Sequence, residues 1–404
     1  VTLNVIQSTI DTVTSKISKN HPQPMFLTEE GEFSQIQRAK RLSRFVRGVF
    51  YANDAYTQGN VVFRTGGIVG TGSWKVSAQN EEPKIEYVFP LEVLVDDEES
   101  FYGEPQNRYQ VKIVPKDVLI AAFPDHRVEI AAATGIVGRG ENRNIQYIRV
   151  VEAWHLPSGP GAGDGRRVIA IENSDLEDAV WVRDYFPFVD FSWSKPIVGF
   201  WGRGLAEEEE GLQVEINRLL MKIERSQRMF GFPVLLVHQS ANISEKKFTN
   251  AIGQIVTYTG NKEPKVVTHN TVAQEIYAHL DRLYERAFEI AGVSRLSATS
   301  QKPAGLDSGV ALREYNDIET ERFMTVGQAY EQFFMDTSRQ IIDVMDEIEK
   351  GSESPEDGAA QSAYRVKDPD RKSMSTISWE DAKMDEDTYI LKVWPVSSLP
   401  SSPA

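Results

Sequence analysis

The chain has 404 residues, is 41% hydrophobic and carries a formal net charge of −15, with a sequence pI near 5.0. That is enough apolar material for a sizeable core or several smaller ones, and the acidic balance argues against a protein that grips nucleic acid, because tight binders display basic patches that release phosphate counterions. With no cysteine the fold uses neither disulfides nor thiolate metal sites, and no apolar run approaches the length of a membrane span.

Residues 2–20 predict an amphipathic helix with Ile6, Ile10, Val13 and Ile17 on one face. It carries no signal-peptide apolar run, and His21-Pro22 ends it. Pro24 and an acidic turn at Glu29–Glu32 form a connector. A second helix is expected from Phe33 to about Asn53, with Ile36, Leu42, Phe45, Val46 and Val49 inward. Arg38, Lys40, Arg41, Arg44 and Arg47 face outward, either simply solvated or meeting the carboxylates of a neighbouring subunit. Gly66–Gly72 superficially resembles a phosphate loop, but no Gly-Lys-Ser/Thr follows, so it reads as a flexible helix-to-strand turn.

Short alternating strands are expected at Trp74–Val76, Ile85–Phe89, Val93–Val95 and Tyr109–Val114. A helix over Val118–Phe123 and another short one after Pro124 follow. Further strands are expected at Tyr147–His155 and Val168–Glu172, separated by the surface loop Pro157–Gly165, then at Val180–Arg183 and Phe188–Trp193. Pro196 and Gly199–Gly204 mark a boundary.

Leu205 to Arg228 predicts a helix with Leu212, Ile216, Leu219, Leu220 and Ile223 on one face. Glu207–Glu210 crowd its first turn, which suits the helix dipole. Gly231-Phe232-Pro233 ends it. Residues 233–270 form a compact insert: strand Val234–Val237, a short helix near Ser244–Asn250, strand Gln254–Thr259 and strand Lys265–Thr268. Helix 272–293 then places Val272, Ile276, Leu280, Leu283, Ala287 and Ile290 on one stripe, with Tyr277, Tyr284, Phe288 and Ala291 beside it. The stretch SRLSATSQKPAGLDSG, with its Pro, two Gly and four Ser, is a loop. A helix of roughly 40 residues runs from after Asp307-Ser308 to about Lys350, well beyond the usual globular range. Its apolar face carries Tyr315, Ile318, Val326, Tyr330, Phe333, Phe334, Ile341, Val344, Met345 and Ile348. Gly327 is the expected bend. The polar residues after Lys350 are expected to be mobile, and Thr388–Pro395 forms one more strand.

Two blocks, FPFVDFSWSKPIVGFWGRGLAEEEEGLQVEINRLLMKIERS and SRLSATSQKPAGLDSGVALREYNDIETERF, resemble the portal (head–tail connector) protein of a tailed double-stranded DNA bacteriophage. The likeness extends over essentially the whole chain. It implies an α+β portal fold: an α/β wing (1–204), stem helix 1 (205–232), a small α/β clip (233–270), stem helix 2 (271–293), a tunnel loop (294–308) and a long kinked wing helix (309–350). The last part, 351–404, would be a mobile segment plus a strand returning to the wing. Family members continue into a helical crown, and with only SSLPSSPA left the crown is expected to be absent or truncated.

The resemblance implies a dodecameric homo-oligomeric ring at one vertex of the virion capsid, assembled in the host cytoplasm. Double-stranded viral DNA passes through it non-specifically during packaging and ejection. The implied partners are the terminase large subunit, head–tail adaptor proteins, and the major capsid and scaffolding proteins, with no membrane, cofactor or catalysis of its own. Another connector or neck ring, or a soluble α+β enzyme, are the alternatives.

In this scheme the tunnel-loop residues Ser297, Thr299, Ser300, Gln301, Lys302 and Pro303 meet DNA. Glu245, Lys246, Lys247, Lys262 and Glu263 give the clip a mixed-charge rim for motor or connector binding. Asp281, Glu285 and Glu289 recur at i, i+4 and i+8 and line one helical face. That row is open to three readings: a metal site lacking converging ligands, local pairing with Arg282 and Arg286, or an acidic strip facing a channel. The six histidines (His21, His126, His155, His238, His269 and His279) show neither H-x-x-x-H nor H-E-x-x-H spacing. The S-x-x-K match at Ser244–Lys247 lacks the elements that would make it a nucleophile site.

Overall fold

The computed structural model describes residues 3–18, 21–28, 32–137, 146–230, 234–239, 259, 265–267, 274–293, 323–351, 363–367, 374–384 and 389–393. Helix and strand are mixed throughout, as an α+β reading requires. Two compact units divide the chain, Val1–Thr9 with Glu209–Ala304, and Ile10–Glu208 with Gly305–Ala404.

Helix α1 (Val5–Ile17) is followed by β1 (Pro24–Leu27), a strand where only a connector was expected. In α2 (Phe33–Ala52) the buried stripe is Ala39, Leu42, Phe45, Val46, Val49 and Phe50. Ile36, expected inward, is exposed, because it lies one turn before that stripe meets the core. Next comes α3 (Ala55–Val69), which runs straight through Gly66 and Gly67. The turn sits instead at Gly70, whose φ of 102° no side chain adopts easily, and where a Cβ would lie 1.9 Å from the Gly202 carbonyl oxygen.

Strands β2 (Thr71–Gln79) and β3 (Glu82–Val88) form a hairpin. Strands β4 (Val93–Val95) and β5 (Asn107–Pro115) are followed by α4 (Lys116–Ala122), a 3-10 turn at Pro124–His126 and α5 (Arg127–Ala132). The next strands are β6 (Ile136–Val137), β7 (Gln146–His155), β8 (Arg166–Ile171), β9 (Ser174–Val180) and β10 (Phe188–Ser192). They make a three-stranded sheet in the order β10-β2-β3 and a six-stranded antiparallel sheet ordered β4-β5-β7-β8-β9, with β6 on β7. The strand expected at Val180–Arg183 lies earlier in the chain. Hairpin pairing of β9 with β8 sets it there, and the apolar Val180 and Val182 are solvent-exposed.

Helix α6 (Leu205–Phe230), the ribbon of β11 (Val234–Leu236) and β12 (Lys265–Val267), and α7 (Gln274–Ala291) follow. Then comes α8 (Met324–Gly351), described as one helix with Gly327 inside it; the expected stretch before residue 323 lies outside the described residues. Hairpin β13 (Ala363–Lys367) and β14 (Met374–Ser378) leads into the one-turn α9 (Trp379–Ala382), and β15 (Ile390–Val393) closes the series. The hairpin corrects the expectation of a polar, unstructured segment here. Tyr364, Val366, Ile377 and Trp379 are buried, and Phe45 of α2 meets the rings of Tyr364 and Trp379. Gly48 makes that approach possible, since a Cβ there would lie 2.5 Å from the Tyr364 Cβ. The final strand pairs antiparallel with β1, not with either larger sheet.

The core of the larger unit is aromatic. Phe50, Tyr56 and Phe63 of the α2–α3 hairpin, Trp74 of β2 and Phe191 of β10 close on Tyr330, Phe333 and Phe334 of α8. Within it, Trp74 Nε1–H donates to Thr337 Oγ1 at 2.9 Å, and that hydroxyl donates to the Phe333 carbonyl.

Candidate functional site

In the smaller unit, the 3–4 spacing of Ile216, Leu219 and Ile223 on α6 meets Leu280, Leu283 and Ala287 on α7, with Val5 against them. Gln227, late in α6, donates to the Tyr277 hydroxyl early in α7, so the two helices run antiparallel. Between them in sequence lies the antiparallel β11–β12 ribbon. The α6 end is tied to the N-terminal segment: Thr9 donates to Glu209 at 2.9 Å, and Gln213 accepts from the Val5 amide at 2.8 Å. Glu209 is therefore buried, while Glu207, Glu208 and Glu210 stay in solvent.

On α7, Asp281, Glu285 and Glu289 are all exposed on one face. Arg282 Nε–H donates to the Ala278 carbonyl at 3.2 Å. Ile290, expected on the buried stripe, is exposed, and Ala291 takes its place in the core. Burial and the neighbouring Asp281 charge push the Tyr284 hydroxyl above its usual range. The clip residues Glu245, Lys246, Lys247, Lys262 and Glu263 and the loop residues Ser297, Thr299, Ser300, Gln301, Lys302 and Pro303 lie outside the described residues.

Two charge clusters in the larger unit escaped the sequence reading. Lys75 of β2 bonds Glu152 of β7 at 2.7 Å, and Arg167 of β8 bonds both Glu152 and Glu177 at 2.9 Å. Burial alone would raise the Glu152 carboxyl; its two cations outweigh that and hold it below the ordinary carboxylate range. In the second cluster Arg108 of β5 grips Asp190 of β10 through two 2.7 Å bonds and stacks on Phe188, while Ser73 also bonds Asp190. Both clusters bridge the three- and six-stranded sheets. The signal in the sequence was a charge set between core residues, Lys75 between Trp74 and Val76, but pattern alone names no partner.

A cleft of about 350 Å³ opens beside the first cluster, lined by Lys75, Glu86, Glu152, Arg167, Arg183 and Trp181 among others. Its cations are held by carboxylates, including Arg183 by Glu347, so the cluster fastens the sheets. Among the described residues no group of three His, Cys, Asp or Glu side chains converges to hold a metal, and no helix is long and apolar enough to cross a membrane.

No family model matches this chain, and no curated protein sequence matches it. The described residues define a mixed α and β protein: a smaller unit built on the α6–α7 pair and a larger unit that contains the three- and six-stranded sheets.

Proposed function

We propose that this chain is a portal subunit, forming a ring at one capsid vertex through which double-stranded viral DNA is packaged, retained and ejected. The observation that carries the reading is the antiparallel α6–α7 pair separated by the β11–β12 ribbon and followed in the chain by the 28-residue α8. Helix, small insert, returning helix, loop and long helix is the order that the portal resemblance implies. A neck ring or other connector would assemble too, but that order favours a portal.

In this reading α6 and α7 are the stem, the insert is the clip that docks the terminase motor and later the adaptors, and residues 294–308 reach the DNA. The exposed acidic row on α7 suits a wall that repels phosphate and so lets a duplex slide. The dodecameric count, the capsid and scaffolding contacts and the virion location come with the portal assignment. Native mass measurement and end-on electron-microscope class averages test it. A closed ring of identical copies with a central channel is expected, and a monomer at every salt concentration would overturn the assignment.

A further inference from the structure

The six-stranded sheet has one covered and one bare face. Cross-strand pairing places Leu94, Tyr109, Ala153 and Val168 in one row, and Val111, Val151 and Ala170 in the next. None of these seven is buried; Leu94 is 55% exposed and the neighbouring Ile113 60%. The opposite face carries Ile148, Val150, Trp154, Ile171 and Leu176, all buried beneath other elements. A contiguous apolar face left in water marks an interaction site.

Its charged surroundings indicate what covers it. Immediately after β4 comes the exposed tract Asp96–Glu99. Asp96 caps the amides of Glu98 and Glu99, and Glu99 bonds Asn107, but no cation pairs with Asp97 or Glu98 among the described residues. The other charges on this face are Arg149, the Arg166–Asp178 ion pair, Asp175 opposite Ala170, and His155, which bonds Asn107. The same chain carries the complement elsewhere. The first turns of α2 expose Phe33 (78%) and Ile36, with Lys40 on their stripe and Arg38 and Arg41 beside it. Arg38 and Lys40 have no carboxylate partner among the described residues, and Arg41 has only an exposed pair with Asp381.

We infer that the bare sheet face of one copy receives the first turns of α2 from a second copy, with Phe33 and Ile36 on the apolar rows and Arg38 and Lys40 against Asp97 and Glu98. Two different patches on one chain make a head-to-tail contact, the kind that closes into a ring when the rotation permits. The ring geometry rests on the portal reading; the contact itself rests on these two patches. Opposed local charge also lets copies of net charge −15 approach each other.

The test uses two charge-reversed variants of the full chain, Asp97→Lys with Glu98→Lys and Arg38→Glu with Lys40→Glu. All four side chains are exposed, and circular-dichroism melts check that each variant folds as the parent does. Each variant alone is expected to associate at least about tenfold more weakly than the parent by native mass measurement at low salt. Mixed in equal amounts they should assemble again, because the lysine edge of one meets the glutamate helix of the other. A ring-forming parent whose variants assemble as well as it does, or fail to recover on mixing, overturns this contact, leaves the portal reading standing and assigns the bare face to another partner. A parent that never assembles overturns both.

Discussion

At the residue scale, the Lys75–Glu152–Arg167 cluster contributes to the acid stability of the larger unit. Glu152 accepts from Lys75 and Arg167 with little solvent around it. Because its folded pKa lies below the unfolded value, its contribution is present above the ordinary carboxylate pKa and is lost as pH falls through the folded value. Glu152→Gln leaves Lys75 without its carboxylate and Arg167 with Glu177 alone, and should cost about 3 kcal/mol at neutral pH. Urea titrations at pH 7 and pH 3 check this, and the difference between parent and variant should shrink at the acid end. An equal difference at both would assign the loss to packing.

At the element scale, the α6–α7 pair is held by apolar contact and opposed by the α7 charge row. Leu219→Ala or Leu283→Ala removes a buried side chain and should cost roughly 2–5 kcal/mol. Neutralising Asp281, Glu285 and Glu289 to Asn and Gln removes like-charge neighbours and should instead gain a few tenths of a kcal/mol per pair. Thermal melts separate the two signs. If the row is a channel wall, the neutralised variant should also retard DNA passage in a packaging assay, a change no surface-stability effect produces.

The loop at 294–308 joins the same element scale through its residues alone. In the proposed portal Ser297, Thr299, Ser300 and Gln301 would offer short neutral hydrogen-bonding groups, and Lys302 a cation to touch a phosphate without holding it. Lys302→Glu should leave assembly intact and lower the amount of genome packaged or retained. Particles that fill and hold a genome as the parent does would remove this loop from the DNA path.

At the scale of the whole molecule, the net charge of −15 argues against a protein that grips nucleic acid. Part of the core of each unit was legible as periodicity: Ile216-Leu219-Ile223, Leu280-Leu283-Ala287 and Tyr330-Phe333-Phe334 repeat at helical spacing and are buried. The absence of cysteine and the polar α7 row were likewise matters of composition and spacing.

Only the tertiary structure decided what depends on partners distant in the chain. A five-residue strand such as β13 carries too little pattern to announce itself; Tyr364 and Trp379 become core residues because Gly48 and Phe45 of α2 wait over 300 residues earlier. Ile36 and Ile290 have the right spacing yet lie beyond the ends of the surfaces that would cover them. Lys75 and Arg108 are ordinary charges until folding brings Glu152 and Asp190 to them. Periodicity is a local property and fixes which face of an element is apolar; whether that face is covered is a property of the contacts, which no window of sequence contains.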